Sequence, residues 1–362
     1  MKLGIVGLPN TGKSTIFNAL TKAGAVTANY AFSTIEPNVG VIAIPDSRLD
    51  FLTELEKSVK TVPTSIEFVD MAGLVSGSSK GEGLGNKFLS YIREVDAIVH
   101  VVRCFADGNV EGDVNPMGDI ETINFELIFA DIEILERRIE KTKKLLKSDK
   151  GQADLLALYE RVSKLLEDGV SARAFDLYPN EWDMLADMQF LSAKPVIYAL
   201  NISEADAVKD AYLTQAYYSE AKSHADGEKS PLIVLCASLE AELSVLSDEE
   251  KAEFLVELGL NESRLDLFIT ESYKLLGLIS FFTAGPKETR AWTVTLGTKA
   301  PRAAGKIHSD IERGFIRAEI VAYKHLQEAG SMVVARERGQ VRLEGKEYVM
   351  NDGDVVLFRF NV

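Results

Sequence analysis

A short run near the start of the chain carries residue types and spacing that could hold a phosphate. Gly7-Leu-Pro-Asn10-Thr11-Gly12-Lys13-Ser14 satisfies the pattern G-x-x-x-x-G-K-[ST] in full. Glycines let backbone N–H groups turn inward around phosphate oxygens. A lysine at the position of Lys13 reaches the β- and γ-phosphates, and a hydroxyl at Ser14 can ligate magnesium. The motif requires a strand before it and a helix after it. Leu3–Val6 and Thr15–Lys22 read as that strand and that helix, whose N-terminus adds partial positive charge. Asn10, Thr11, Gly12, Lys13, Ser14 and Thr15 are therefore the candidate phosphate-side residues.

Three further pieces extend this chemistry. Asp70-Met-Ala-Gly73 directly follows a strand-like run. Asp70 could hold magnesium through a water, and Gly73 could offer its N–H to a γ-phosphate. Lys13, Asp70 and Gly73 form the expected catalytic set. Thr34, in Phe32-Ser-Thr-Ile-Glu-Pro37, could complete the magnesium shell only when a γ-phosphate is present, which would make its loop a switch. Ser33 competes for that role. The expected metal ligands are thus Ser14, Thr34 and Asp70.

The base-reading position departs from the guanine pattern. GTPases of this class read guanine with Asn-Lys-x-Asp after the fifth strand of the nucleotide fold. The equivalent place here reads Asn201-Ile202-Ser-Glu204. The lysine is missing and the acid is one methylene longer. A charge-assisted hydrogen bond is worth roughly 1.5–3 kcal/mol, so losing its geometry removes on the order of 10–100-fold of guanine preference. Cys236-Ala-Ser238 matches the backbone loop on the base side. Asn201, Ile202, Glu204 and Ser238 are the candidate base-side residues.

The elements that must position these residues follow an α/β pattern with a mostly parallel sheet. Candidate strands are Leu3–Val6, Val39–Ala43, Ser65–Val69, Ala97–Val102, Val196–Leu200 and Leu232–Cys236. Most are continuous apolar runs, as expected for strands covered on both faces. Between the fourth and fifth lies a long interruption. Ile128, Ile132, Leu135, Ile139 and Leu146, then Leu155, Leu158, Val162 and Leu165, follow helical spacing on either side of the polar break Lys147–Gln152. This reads as an antiparallel coiled-coil hairpin inserted into the nucleotide domain. Beyond Leu278, alternation in Arg290–Gly297 and Phe315–Val321 and the run Asp354–Phe360 read as strands, with Gly305–Arg313 as a short helix. The expectation is a small mixed α+β sheet.

Composition bounds the function. The formal charge is -15, which argues against coating DNA through bulk charge but leaves room for a local basic face. Arg137, Arg138, Lys141, Lys143, Lys144, Lys147 and Lys150 crowd the hairpin. Lys299, Arg302, Lys306, Arg313 and Arg317 cluster near the C-terminus. The competing reading of both sets is ordinary solvated charge. Cys104 and Cys236 end apolar runs and are expected as reduced core thiols. No Cys/His cluster has metal-ligand spacing. No cleavable signal and no run of 18 apolar residues is present, so a cytosolic protein without membrane association is expected.

Together the motifs resemble the Obg-like ATPase family, also called YchF, along the whole chain. The resemblance also rests on Ala28–Asn38, Lys80–Phe88, Phe282–Gly285, Arg290–Thr293, Ala303–His308 and Gly314–Arg317. It implies a nucleotide domain over 1–277 interrupted by a coiled-coil insertion at 121–193, then a TGS domain of β-grasp type at 278–362. It implies a redox-regulated, ribosome-associated ATPase that prefers ATP to GTP and hydrolyses it slowly with Mg2+. The ribosome (large or small subunit) and RNA are the implied partners of the coiled coil and TGS domain. A conventional GTPase associated with translation is the alternative. Leu74 stands where Ras-like enzymes carry a water-orienting glutamine. Asn10 resembles the asparagine that binds potassium in related potassium-activated GTPases. Family members often carry a histidine in the loop after the fourth strand, whereas Ala106–Pro116 has none. His100, on the strand itself, reads as a core residue.

Overall fold

The structure, a computed structural model, describes residues 1–24, 38–71, 85–106, 113–260 and 263–361. The strands are β1 Lys2–Val6, β2 Asn38–Ala43, β3 Thr61–Val62, β4 Ser65–Asp70, β5 Ala97–Cys104, β6 Val196–Ile202, β7 Leu232–Leu235, β8 Leu278–Thr283, β9 Thr289–Thr295, β10 Phe315–Ala322, β11 Arg342–Glu344 and β12 Asp354–Phe360. Helices in the first part of the chain are α1 Lys13–Gly24, α2 Ser47–Glu56, α3 Gly85–Glu94, α4 Pro116–Leu146, α5 Ala153–Glu167, α6 Pro179–Leu185 and α7 Glu204–Ala207. The remainder are α8 Ala216–Gly227, α9 Ala237–Leu243, α10 Asp248–Leu258, α11 Arg264–Leu275, α12 Ala300–Ile307, α13 Ser309–Arg313, α14 Tyr323–Ala329 and α15 Met332–Glu337.

By compactness the chain forms two units, residues 1–40 with 67–268 and residues 41–66 with 269–362. The first is built on a sheet of order β2-β4-β1-β5-β6-β7. Each of the pairs β1–β4, β1–β5, β5–β6 and β6–β7 is parallel. Every residue of β5 and β6 is buried, which explains their mostly apolar runs, broken only by His100 and Arg103 in β5 and Asn201 in β6: helices cover both faces. Register decides what the sheet presents. Ile5 lies opposite Asp70, so the acid at the end of β4 stands beside the strand that feeds the phosphate loop.

The interruption between β5 and β6 is a helical hairpin. Asn115 caps α4 by accepting from the Gly118 N–H at 3.1 Å, and Pro116 takes the first-turn position where its missing N–H costs nothing. α4 has 31 residues, roughly 46 Å at 1.5 Å per residue. Asp149 accepts from the Gly151 N–H at 2.9 Å in the turn before α5. Ile128, Leu135, Leu158, Val162 and Leu166 close the seam between α4 and α5. Two polar ties anchor the root. Asp131, fully buried on α4, accepts from the N–H groups of Leu191 at 2.7 Å and Ser192 at 2.8 Å. Arg173 meets Glu228 at 2.9 Å in a buried ion pair, to which Tyr198 on β6 adds a hydrogen bond at 2.6 Å.

The second unit holds a mixed sheet of order β11-β10-β12-β8-β9-β3. β8–β9 and β10–β12 are antiparallel, whereas β12–β8 and β3–β9 are parallel. Phe281, Ile320 and Phe358 pack with Ala300, Ala303 and Ala304 of α12. Phe282, Val321 and Val355 pack with Leu49 and Leu52 of α2 and Leu326 of α14. The helix expected over Gly305–Arg313 is two helices, α12 and α13, broken at His308, whose backbone is extended. The expected division at 277/278 differs from the division by compactness. Residues 41–66 pack with the second unit, where Thr61 and Val62 add an edge strand against Thr289 and Arg290. A two-residue strand carries no periodic signal, and sequence spacing does not reveal a partner more than 200 residues away.

Candidate nucleotide site

The phosphate loop is shaped by close backbone approaches. A side chain on Gly7 would run into the Val101 carbonyl of β5 and the Thr11 hydroxyl. Gly12 has φ +91°, and a Cβ there would collide with the Asn201 amide. Asn10 adopts φ 60°, the left-handed region that asparagine tolerates better than most residues. Inside the loop, Thr11 Oγ1 donates to the Leu8 carbonyl at 3.0 Å and Lys13 Nζ donates to the same oxygen at 2.6 Å. Lys13 is only 5% exposed. Burial lowers its pKa to about 8, against the opposing charge of Asp70. Helix α1 begins at Lys13, so Ser14 and Thr15 stand exposed on its first turn, where N–H groups lack helical partners.

The base-side residues converge on a cavity of about 310 Å3. Its walls are Gly12, Thr15, Phe105, Ala106, Asn201, Ile202, Ser203, Glu204, Ala237 and Ser238. It lies where β5 and β6 end, the position at which parallel sheets open a crevice for ligands. Asn201 is the tie between its parts. Its Nδ2 donates to the Thr11 carbonyl at 2.9 Å, and its Oδ1 accepts from the Ala237 N–H at 2.9 Å. One buried amide thus joins the phosphate loop, β6 and the loop after β7. Ser203 caps α7 by accepting from the Asp206 N–H, which sets Glu204 at the helix start. Ser238 Oγ donates to Glu204 Oε1 at 2.8 Å.

The sequence-derived residues Asn10, Thr11, Gly12, Lys13, Ser14, Thr15 and Asp70 therefore gather at one end of the sheet with Asn201, Ile202, Glu204 and Ser238. Thr34, Gly73 and Leu74 lie outside the described residues. Phe105 and Ala106 were not foreseen as cavity walls. Their signal was positional: they follow β5 directly, at the strand end where a crevice opens.

Were magnesium bound, Ser14 would offer a hydroxyl and Asp70 a carboxylate. This oxygen-only set suits a hard cation that keeps waters and phosphate oxygens in its shell. Among the described residues no group of three or more His, Cys, Asp or Glu could hold a metal by itself. His100 is 1% exposed on β5, and burial lowers its pKa to about 3, so it is a neutral core residue as expected. Cys104 and Cys236 are buried free thiols, and burial pushes the Cys104 thiol up. Thiol chemistry therefore meets no exposed cysteine.

A glycine-rich phosphate loop between β1 and α1, an acid at the end of β4 and a base cavity beyond β6 define a P-loop nucleotide hydrolase of the GTPase fold. Residues 2–146 match the family model described as 50S ribosome-binding GTPase, and residues 278–361 match YchF-GTPase_C, described as a protein of unknown function. The chain is 53% identical over 363 residues, 99% of each protein, to "Ribosome-binding ATPase YchF" of Bacillus subtilis (strain 168). It belongs to the YchF family. A protein of the same name from Escherichia coli O157:H7 is 49% identical over 365 residues, covering 100% of this chain and 99% of that one. The solved "Structure of the Schizosaccharomyces pombe YchF GTPase" superposes with a TM-score of 0.89 at 38% identity, covering 99% of this chain and 97% of that one.

Proposed function

We propose that this chain is a ribosome-associated switch that binds ATP in preference to GTP and hydrolyses it slowly. The observation that carries the base preference is the cavity at Asn201–Glu204. It opens onto the phosphate loop, lacks the lysine of the guanine pattern, and holds a glutamate engaged with Ser238. The Phe105 ring on its wall offers a stacking surface for a base. Lys13 gives up its bond to the Leu8 carbonyl for the β- and γ-phosphates, and the start of α1 offers N–H groups to the same charge. Magnesium, held by Ser14 directly and by Asp70 through water, with Thr34 added when a γ-phosphate is present, would neutralise charge on the phosphates. The Gly73 N–H is read as the γ-phosphate contact. Leu74 cannot orient an attacking water, which accounts for slow turnover. Asn10 offers its amide oxygen to a potassium ion where developing charge needs offsetting.

Ribosome association is supported by the names of the relatives and by the two basic sets. Within the hairpin set, Arg137 pairs with Glu133 and Lys143 with Glu160. Within the C-terminal set, Lys299, Arg302 and Arg313 pair with Glu347, Glu312 and Asp310. These exposed pairs are weak enough to yield to phosphates. We read α4–α5 as the coiled-coil arm and 278–362 as a TGS domain, both facing RNA, in a cytoplasmic protein. No helix among the described residues is long and apolar enough to cross a membrane. The deciding experiment is calorimetric binding of ATP and GTP, with phosphate release measured with and without ribosomes in sodium and in potassium. GTP binding tenfold tighter than ATP would make the protein a conventional GTPase. Rapid turnover in sodium alone would remove the account of an incomplete site.

A further inference from the structure

The first unit holds a second cavity, of about 440 Å3, at the root of the helical hairpin, which the nucleotide site does not use. Gly169 turns the chain out of α5 with φ +81°, and Cε1 of Phe125 on α4 stands 3.3 Å from where a Cβ on that glycine would lie. The turn brings Glu167 and Asp168, at the end of α5, to the same opening as Glu121 and Phe125. Ser163 Oγ donates to Glu167 Oε1 at 2.8 Å and holds that carboxylate. Glu228 also lines the cavity, but its charge is matched by the buried Arg173. Among the described residues no lysine or arginine lines it, so Glu121, Glu167 and Asp168 leave it negative. The carbonyls that end α5 add partial negative charge.

Two observations independent of this charge point to an occupant. Ser171 is 3% exposed and lines the cavity, yet its hydroxyl makes no capping bond and no other side-chain hydrogen bond among the described residues. It is an acceptor in waiting for a donor that enters. Phe125 and Phe129, one turn apart on α4, are 42% and 60% exposed, with ring centroids 6.3 Å apart. Phe125 walls the cavity, whereas Phe129 lies beyond it. An aromatic face beside carboxylates attracts a cation, and uncovered rings are apolar area that a partner removes from water. A free polyamine would fill the cavity and leave Phe129 wet. RNA would be repelled by the three carboxylates. A polypeptide can do both things at once, with a cationic side chain inside and an apolar one on Phe129.

We propose that this cavity and the Phe125–Phe129 ridge dock a basic segment of a protein partner: an arginine or lysine side chain enters among Glu121, Glu167 and Asp168, and an adjacent apolar side chain covers Phe129. The surface is distinct from the basic set of the hairpin, which begins at Arg137 and runs toward the turn between α4 and α5.

The test is fluorescence anisotropy of the full chain with a labelled short peptide of alternating arginine and leucine, and with the same peptide carrying neutral citrulline for arginine. Wild type should bind the arginine peptide and not the citrulline one. The triple variant Glu121→Gln/Glu167→Gln/Asp168→Asn should bind about tenfold more weakly, at least the scale of one charge-assisted hydrogen bond. Phe129→Ser and Ser171→Ala should each weaken binding, and every variant should keep wild-type ATP affinity, which reports the fold. Were the triple variant to unfold, Glu167→Gln alone, whose amide oxygen can still accept from Ser163, should weaken binding. Failure of wild type to bind, equal binding of the citrulline peptide, or unchanged affinity in the folded carboxylate variants would each overturn the proposal. Spermidine binding as tightly as the peptide, with Phe129→Ser without effect, would make this a small-cation site instead. Displacement of the peptide by polyuridine RNA would make it an RNA surface. Either result would overturn the protein partner.

Discussion

Two residues of the phosphate loop lead to direct expectations. Gly12 combines φ +91° with a Cβ position already taken by the Asn201 amide. Gly12→Ala should therefore lower stability by about 1–3 kcal/mol and abolish nucleotide binding, because relief requires Asn201 to release Thr11. Urea unfolding and calorimetry on the variant check both parts. Lys13 has a folded pKa of about 8, below its ordinary value of 10.5. The folded chain loses this proton first, so its burial penalty is fully present below pH 8 and is relieved as pH rises toward 10.5. Triphosphate charge restores the protonated form, so binding at pH 8.5 should take up protons. Calorimetry in two buffers of unequal protonation enthalpy should show uptake in wild type and none in Lys13→Ala. The phosphate loop was legible in sequence because each residue type does one job at one offset. The double role of Asn201 was not, because its partners at Thr11 and Ala237 are joined only by the fold.

At the level of elements, the root of the helical hairpin depends on a buried ion pair. Burial pushes the Glu228 carboxyl upward, but hydrogen bonds from His224, Arg173 and Tyr198 and the Arg173 charge outweigh it and hold it well below the usual carboxylate range. Its contribution is present above the ordinary glutamate value and is lost as pH falls below it. Arg173→Met should destabilise by about 3–5 kcal/mol, because it leaves a buried carboxylate unpaired, while the double variant Arg173→Met/Glu228→Leu should recover much of that loss. Chemical denaturation at pH 7 distinguishes the two, and Glu228→Gln should flatten the fall of stability below about pH 4.5. None of this network is visible in sequence, where Asn124 lies on α4, Tyr198 on β6, His224 on α8, and Arg173 and Glu228 in two separate connecting segments. The strands were visible. β1, β5 and β6 are mostly apolar on both faces, and β10 and β12 alternate enough to declare themselves. The break at His308 was missed because the periodicity on either side of it is compatible with one helix.

For the molecule as a whole, a formal charge of -15 has to be reconciled with the proposed attachment to an anionic ribosome. Attachment then depends on local basic faces, so it should weaken steeply with salt. Reversing Lys141, Lys144 and Lys147 to glutamate should lower ribosome co-sedimentation and flatten its salt dependence, with ATP binding unchanged. Equal co-sedimentation at all salt concentrations would remove the hairpin as the contact. Residues 41–66 carry a different consequence. Arg48 donates to Asp352 at 2.6 Å, Ser58 meets Thr289 at 2.7 Å, and Leu49 and Leu52 are sealed against Phe282 and Val355. Chains are made from the N-terminus at a finite pace, on the order of 5–20 residues per second. For the interval in which the intervening residues are being added, α2 and β3 have emerged and their partners do not yet exist. The second unit is therefore finished only after β12 has been made, and a product truncated before β8 would carry Leu49 and Leu52 without the Phe282, Val321 and Val355 side chains that cover them. A stalled or prematurely terminated copy would be marked by an apolar surface that quality-control proteases and chaperones can bind, whereas a completed copy would hide it.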